Sequence, residues 1–356
     1  MARQGRLHVP NATYFVVDRF RPGLEVLVPA PRRRHDSADL RRIEAYRRRF
    51  EALLDRACRR WCARVHAYCW LPDSALLLMQ VSQVPLESIL HSVRGSYSHF
   101  LRTRGHILRA RGATGSPYAE RYRALLIDAE AFFLDFVRHI FWSPVHAGLC
   151  GTPLAYPFSS ARVCAGEPAP PFLYTRTLAD ALAARGFGSR MSFMRFLASN
   201  PAPGFLRLLP RGSPYDHRIA GGPLFVREIQ QRSLAAPRAA HVDAIIAWVS
   251  RRLHIEVDRI VREVRSRDAV EARALVAWLA TCAGSASLPT LAKRLSCSPT
   301  SLHRAIRNYL RIRPTLFNRD TLQEVVSLAE ERDGEGPAAG NGEEPEAGNG
   351  EEPRAP

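Results

Sequence analysis

The chain has 356 residues and a formal net charge of +17 at neutral pH, and this length suits two or three domains with sizeable cores. The sequence has no apolar run of about 18 residues, which a membrane-spanning helix needs. Its N-terminus lacks the apolar segment of a secretory signal. From these features we expect no membrane span and a cytoplasmic protein, while the positive charge favours a polyanionic partner.

The charge is unevenly distributed. From Glu330 onward there are nine acidic and two basic residues, so the rest of the chain has 49 basic against 25 acidic residues and carries about +24. All but one of the 51 basic residues are arginine, the exception being Lys293. Arginine suits phosphate contacts, but a chain rich in alanine and arginine also reflects a GC-rich gene. The excess of charge, and not the choice of arginine, therefore indicates nucleic acid.

The first half of the chain predicts alternating strands and helices. Its apolar spacing has a period of two or of about 3.6 in successive segments. In chain order it predicts a strand at 11–20, a helix at 37–62, a hairpin at 64–80 that turns at 71–73, a helix at 85–102, a basic loop at 104–116, a strand at 118–128 and a helix at 129–142 that ends before Pro144. This order predicts an α+β fold, with a small antiparallel sheet and helices on one face.

The second half predicts mainly helices. We expect a sheet domain at 6–165, a helical connector at 166–237 and an all-helical domain at 238–317. The end of the chain, 333–356, has no large apolar residue and repeats Ala-Gly-Asn-Gly-Glu-Glu-Pro at 339–345 and 347–353. This composition predicts a disordered acidic tail.

Seven scattered cysteines favour reduced, mostly buried thiols. A zinc site formed by Cys58, Cys62, His66 and Cys69 is sterically conceivable. These residues lack the paired Cys-x-x-Cys spacing that makes a zinc prediction secure, so the sequence favours small apolar packing for them and predicts no metal.

Several sequence blocks resemble the REP-associated tyrosine transposases, a group of HUH single-strand transposases. They occur in the family's order over roughly 6–165, with a weaker similarity to about 230. The blocks are the strand near Tyr14, Val65-His66-Ala67-Tyr68-Cys69 with Leu71-Pro72, Val93-Arg94-Gly95-Ser96-Tyr97, Glu120-Arg121-Tyr122-Arg123-Ala124, Pro144-Val145-His146-Ala147-Gly148-Leu149 with Tyr156-Pro157-Phe158-Ser159-Ser160, and Gly221-Gly222-Pro223-Leu224-Phe225-Val226. The resemblance implies a ferredoxin-like sheet, a DNA substrate and a homodimer.

Such enzymes need a divalent metal that polarises the scissile phosphate and a tyrosine that attacks it. In the family, a His-hydrophobic-His motif opens the second strand of the hairpin, a tyrosine lies five residues before the Pro-Val of the last helix, and a polar ligand directly precedes that proline. The corresponding residues here are Ser74, Leu76, His139 and Ser143. All four catalytic positions are therefore altered, which predicts an inactive site without a metal cofactor.

Other residues near these positions are candidate replacements for the altered metal ligands and nucleophile. They are Asp73, His66, Tyr68, Tyr97, Tyr122 and His146. A working site built from them would be a metal-dependent single-strand DNA transposase or nuclease with relocated residues, and it would use Mg²⁺ or Mn²⁺. Asp73 lies in a turn that it more commonly stabilises, and His146 follows the end of the helix, so the sequence favours structural roles.

A second nucleic-acid element is predicted at 268–309, where a helix precedes a helix-turn-helix pattern. Ser287 is placed to cap a short helix with Pro289 in its first turn, and a tight turn precedes a second helix from Pro299. The pattern is similar to the C-terminal DNA-binding domain of the replication initiator DnaA. That domain's diagnostic Asp-His-Thr type of run is replaced by 298–301, so base specificity does not transfer, and a plain three-helix bundle with a solvated basic face is the alternative.

The sequence thus favours a DNA-binding protein of the transposase family that binds hairpin or single-stranded DNA and duplex DNA without cutting it. An active nuclease with relocated residues is the alternative, and an RNA-binding protein is a more distant one. The predicted DNA contacts are Arg94, Arg121, Arg123, Lys293, Arg294, Thr300, Ser301, His303, Arg304 and Arg307.

Overall fold

The computed structural model describes residues 7–30, 34–104, 116–234, 242–262 and 266–334. Most of the predicted basic loop at 104–116 and nearly all of the predicted acidic tail lie outside the described residues. Within the described residues the fold is α+β, with one five-stranded sheet and fourteen α-helices. No helix among them is long and apolar enough to cross a membrane.

The sheet has the strand order β2-β3-β1-β4-β5. Its strands are β1 (Thr13–Arg19), β2 (Arg64–Trp70), β3 (Ser74–Gln80), β4 (Arg123–Ile127) and β5 (Ile219–Ala220). The first four strands confirm the predicted order and the predicted hairpin. They pair antiparallel, whereas β5 pairs parallel to β4 and makes the sheet mixed. The sequence did not predict β5, because two residues are too few to show a period of two.

Helices cover both faces of the sheet, so the prediction that they lie on one face was wrong. Helices α1 (Ser37–Trp61) and α2 (Leu86–Arg104) pack on the face that carries Leu77 and Met79. Helix α3 (Ala129–His146) packs on the opposite face, against Leu76 and Leu78. The continuous apolar run of β3 explains this, because a strand that is apolar on both sides must be buried on both sides.

Helix α3 also continues past its predicted end. It includes Pro144 and ends at His146. Proline at this point removes one hydrogen bond only, and the last turn is completed when the amides of Ala147 and Leu149 donate to Ser143 and Pro144 at 3.0 and 2.9 Å. A proline near the end of a helix is therefore tolerated without a break.

The segment predicted as a helical connector is helical and also completes the sheet's two cores. It contains α4 (Ala161–Cys164), α5 (Arg176–Ala184), α6 (Arg190–Ala198), α7 (Phe205–Arg211) and α8 (Pro223–Leu234). Phe196 and Phe205 pack with α3, whereas Val226 and Ile229 join the core beneath α1 and α2.

The C-terminal helices form a third core around α11, whose residues are buried on nearly all sides. These helices are α9 (Val242–Leu253), α10 (Val257–Val261), α11 (Arg267–Cys282), α12 (Leu288–Arg294), α13 (Pro299–Ile312) and α14 (Arg319–Gly334). The sequence did not predict α14, which adds Leu322 and Val325 to this core. It includes 333 and 334, so the first two residues of the predicted disordered tail are helical.

The C-terminal helices contact the sheet at the end of α1 and the start of β2. The indole N–H of Trp278 and the thiol of Cys282 both donate to the carbonyl of Arg60, at 3.1 Å each. The buried guanidinium of Arg319 donates to the carbonyl of Cys62 at 3.1 Å and to the side-chain oxygen of Asn11 at 2.7 Å. These bonds join residues more than 200 positions apart.

Candidate functional site

The two positions that the resemblance assigns to metal-binding histidines lie on the α3 face of the sheet. Ser74 pairs with Arg19 and Leu76 with Val17 on strand β1, so their side chains share that face. Both residues are buried, Leu76 within the apolar core against α3. The hydroxyl of Ser74 donates to the carboxylate of Asp73 at 3.0 Å. Neither side chain is oriented as a free ligand.

The two corresponding residues on α3, His139 and Ser143, also contact other parts of the protein. The ring of His139 meets that of Phe15 edge-on, at a centroid distance of 5.6 Å, and lies 6.4 Å from that of Phe205. Burial, together with the nearby His146, lowers the pKa of His139 to about 4, so its imidazole is neutral at neutral pH. The hydroxyl of Ser143 donates to the carbonyl of His139 at 2.7 Å, one turn back along the same helix.

These residues do not fit the divalent metal that the resemblance implies. The alkyl side chain of Leu76 offers no donor atom, and the hydroxyls of Ser74 and Ser143 are engaged with a neighbouring carboxylate and a main-chain carbonyl. Divalent metals in such sites take imidazole, carboxylate or amide ligands. Among the described residues no group of three or more histidine, cysteine or acidic side chains is placed to hold a metal.

The candidate substitutes do not converge on this face. Tyr68 and Tyr97 belong to the core on the opposite face, where the Tyr97 hydroxyl donates to the carbonyl of Val26 at 3.1 Å. His66 is fully buried, and burial lowers its pKa to about 4. Tyr122 is buried in the core beneath α2. Asp73 and His146 are exposed, and His146 stacks on Trp142.

The cysteines and His66 that the sequence brought together as a zinc candidate are separated in space. Cys58 packs beneath α1 and Cys62 against the C-terminal helices, whereas Cys69 lies in the core beneath α3. All seven cysteines are free thiols. Cys58, Cys62, Cys69 and Cys282 are buried.

Of the three predicted DNA contacts on the sheet domain, Arg94 is largely used inside the protein. Its guanidinium donates to the carbonyl of Glu120 at 2.8 Å, lies 3.6 Å from the carboxylate of Asp18 and covers the ring of Tyr118 at 4.0 Å. Arg121 is exposed and lines a surface cleft together with Arg94 and Tyr118. The guanidinium of Arg123 is exposed in part and donates to the carbonyl of Leu209 at 2.9 Å.

Asp18 was not singled out from the sequence, although it is an acidic residue that directly follows the apolar run of β1. It is buried on the face that carries α2, and burial raises its pKa to about 7 despite the attraction of Arg94. An acidic residue in a strand is normally exposed, so its position directly after an apolar run was the available signal.

Helices α12 and α13 both begin with serine caps, of which the sequence predicts the one at Ser287. Ser287 begins α12 and its hydroxyl accepts from the amide of Thr290, with Pro289 in the first turn. Ser298 begins α13 and its hydroxyl accepts from the amide of Ser301 at 3.1 Å. The four residues 295–298 connect the two helices, a spacing that agrees with the predicted tight turn.

Helix α13 presents the predicted contacts outward. Leu302 and Ile306 are buried, as predicted, and the exposed residues of the two helices include Lys293, Arg294, Thr300, Ser301, His303, Arg304 and Arg307. Arg294 donates to the carboxylate of Asp243 at 2.7 Å, and the hydroxyl of Ser301 bonds to that of Ser298. Among the described residues, no carboxylate lies within 4 Å of Lys293, Arg304 or Arg307, so these cations face solvent.

No protein-family model and no curated protein matches the sequence. Among solved structures, that of a REP-associated tyrosine transposase bound to a REP hairpin aligns with a TM-score of 0.34 and 15% identity, over 49% of this chain and 92% of that chain.

Proposed function

We propose that this chain is a DNA-binding protein that does not cut DNA, with a sheet domain for hairpin or single-stranded DNA and C-terminal helices for duplex DNA. The observation that carries binding is the exposed face of α13, where Arg304 and Arg307 have no carboxylate within 4 Å among the described residues. Such a face favours an anionic partner, and the charge of about +24 on the residues before Glu330 supports the same conclusion.

The proposed fold names are ferredoxin-like for the sheet and helix-turn-helix for α12 and α13. The order β2-β3-β1-β4, with antiparallel pairing throughout these four strands, supports the first. The short helix α12, the four-residue connection and the capped helix α13 support the second. Because residues of α5 to α8 complete the sheet's cores, we infer that the sheet unit includes most of the segment 166–237.

The absence of cutting is proposed from the chemistry of the four altered positions. A phosphoryl-transfer site must neutralise the charge that develops on the phosphate. Leu76 supplies no charge or lone pair, and His139 is a neutral imidazole packed against Phe15. Arg19 and Arg123 lie on the same face, and a guanidinium can contact a phosphate without catalysing a reaction at it. Retention of DNA without reaction is therefore the outcome that this face supports.

Fluorescence anisotropy with labelled oligonucleotides tests the binding proposal. We expect salt-sensitive binding of a DNA hairpin and of a DNA duplex, with the logarithm of affinity falling linearly with the logarithm of salt concentration. A hairpin and a duplex of the same sequence in RNA are the controls. Tighter binding of the RNA forms would favour an RNA-binding protein, and salt-independent or undetectable binding of every oligonucleotide would contradict the proposal.

A homodimer and a cytoplasmic location complete the proposal, since the resemblance implies the first and a DNA partner fits the second. Sedimentation velocity of the free protein tests the dimer: a single monomeric species across the concentrations used for DNA binding would contradict it.

A further inference from the structure

The last turn of α1 lies directly beside the exposed face of α13, although the two belong to opposite ends of the chain. The guanidinium of Arg60 lies 3.3 Å from the imidazole nitrogen Nε2 of His303. His303 flanks the buried stripe of α13 and is followed one turn later by Arg307, while Arg56 precedes Arg60 by one turn on α1. Two basic stripes, Arg56 with Arg60 on α1 and His303 with Arg307 on α13, therefore meet at the contact between Arg60 and His303.

This junction contains positive charge without a matching carboxylate. Among the described residues, no carboxylate lies within 4 Å of Arg56, Arg60 or Arg307, whereas the neighbouring Arg59 is paired with Asp55 at 3.0 Å. The partner of Arg60 across the junction is an imidazole and not a carboxylate, so its charge is not neutralised there and is left for an anion to neutralise. The lowered pKa of His303, caused by partial burial and then by Arg60 and Arg307, agrees with such a cluster.

The main chain fixes the position of α1 at this junction. The carbonyl of Arg60 accepts hydrogen bonds from both Trp278 and Cys282 of α11. The side chain of Arg60 lies over the ring of Trp61 with its guanidinium carbon 4.8 Å from the centroid. The anchoring therefore uses the backbone, and the guanidinium remains directed toward His303. A cation held in place pays less entropy on binding than a free surface arginine.

We propose that the end of α1 forms part of the duplex-binding surface, with Arg56 and Arg60 contacting the phosphate backbone beside the DNA that α13 contacts. This inference rests on the proposed function, because it assigns residues to its duplex-binding part. It adds a contribution from the sheet unit, which lies far from α12 and α13 along the chain, that the helix-turn-helix pattern by itself does not contain. The expected ligand is the sugar-phosphate backbone of duplex DNA, without base specificity.

A matched pair of double variants tests the proposal in the full-length protein. Arg56→Ala/Arg60→Ala removes the two junction charges, and Arg41→Ala/Arg48→Ala removes two exposed charges from the earlier part of the same helix. Each phosphate contact contributes about 0.9 to the slope of log affinity against log salt. We expect the junction variant to lower that slope by about 1 to 2 for duplex DNA and to weaken binding about tenfold near 0.15 M salt. The control changes duplex affinity less than about threefold.

The other outcomes are equally informative. Equal losses in both double variants, or no loss at the junction, would overturn the inference, because net charge alone would then explain binding. Hairpin binding by the wild type without any duplex binding would overturn the inference and leave the hairpin part of the proposed function standing. Failure of the wild type to bind any DNA would instead contradict the proposed function itself.

Two further variants guard against loss of folding. Arg56→Lys/Arg60→Lys keeps both charges and should retain most of the salt slope. If the double alanine variant melts early, Arg56→Ala compared with Arg48→Ala isolates one exposed junction charge. Arg56 makes no hydrogen bond or ion pair with any described residue, so its removal should leave folding intact, and an unchanged slope in this variant would overturn the inference.

Discussion

The α3 face of the sheet and the junction of α1 with α13 each contain a histidine, and the two differ in what that histidine contacts. His139 packs against Phe15 and Phe205, and burial holds its pKa near 4. His303 is exposed and borders Arg60 and Arg307. The first environment excludes charge and the second concentrates it. We therefore expect the chain's positive charge to form a binding surface only where it remains exposed and uncompensated.

The contact between the C-terminal helices and the sheet is the place where a substitution should destabilise the fold most. Arg319 is buried and its guanidinium bonds to the carbonyls of Cys62 and Val81 and to the side chain of Asn11. In Arg319→Ala these acceptors lose their partner, so we expect a loss of about 3 to 5 kcal/mol of unfolding free energy. Urea unfolding measures this loss.

The matched control is Arg48→Ala, which removes an exposed arginine paired with Glu44 at 2.6 Å. Its unfolding free energy should change by less than about 0.5 kcal/mol. If Arg319→Ala loses no more unfolding free energy than this control, Arg319 does not hold the C-terminal helices to the sheet.

The second prediction concerns the α3 face alone. Leu76 fills an apolar core at a position where the resemblance expects a metal ligand. Leu76→Ala should cost about 2 to 4 kcal/mol, because it leaves a cavity between β3 and α3. The neighbouring Ser74→Ala should cost less than about 1 kcal/mol, since it removes one hydrogen bond to the exposed Asp73. If urea unfolding shows no loss of unfolding free energy in Leu76→Ala, the core between β3 and α3 is not tightly packed.

The third prediction uses pH to separate the buried histidine from an exposed one. The folded-state pKa of His139 is about 4 against 6.5 for the free side chain, so the unfolded state binds a proton first and stability falls between pH 6.5 and about 4. This contribution amounts to at most about 3 kcal/mol. His139→Phe should reduce the fall, whereas His146→Phe, at an exposed position, should leave most of it.

His66 contributes in the same direction, and Asp18, whose pKa is raised to about 7, contributes in the opposite one. Both remain in each variant, so the difference between the two variants isolates His139. Urea unfolding at pH 7 and pH 5 measures it, and equal pH dependence in the two variants would show that His139 is hydrated.

Local patterns predicted much of the fold because they depend on near neighbours in the sequence. The hairpin that contains Ser74 and Leu76 and the cap at Ser287 were confirmed. The coverage of both sheet faces was missed, although the apolar run of β3 carried the signal. Strand β5 was missed because a two-residue strand has no readable pattern.

The long-range contacts could not be predicted from such patterns. Two of the hydrogen bonds of Arg319 go to main-chain carbonyls. Because every residue has a carbonyl, no sequence feature marks Cys62 or Val81 as an acceptor. The contact between Arg60 and His303 spans 243 positions and depends on which helix faces meet. A sequence identifies exposed cationic faces, but only the packed structure identifies which of them lie side by side.

The central claim is that the protein retains DNA without breaking it, and a cleavage assay on the bound complex tests it most directly. A labelled DNA hairpin saturated with protein is incubated with Mg²⁺ or Mn²⁺, and the mixture is resolved on a denaturing gel. We predict an intact oligonucleotide and no covalent protein–DNA species, with anisotropy of the same sample reporting full binding. A nicked product or a covalent adduct that depends on the metal would contradict the account.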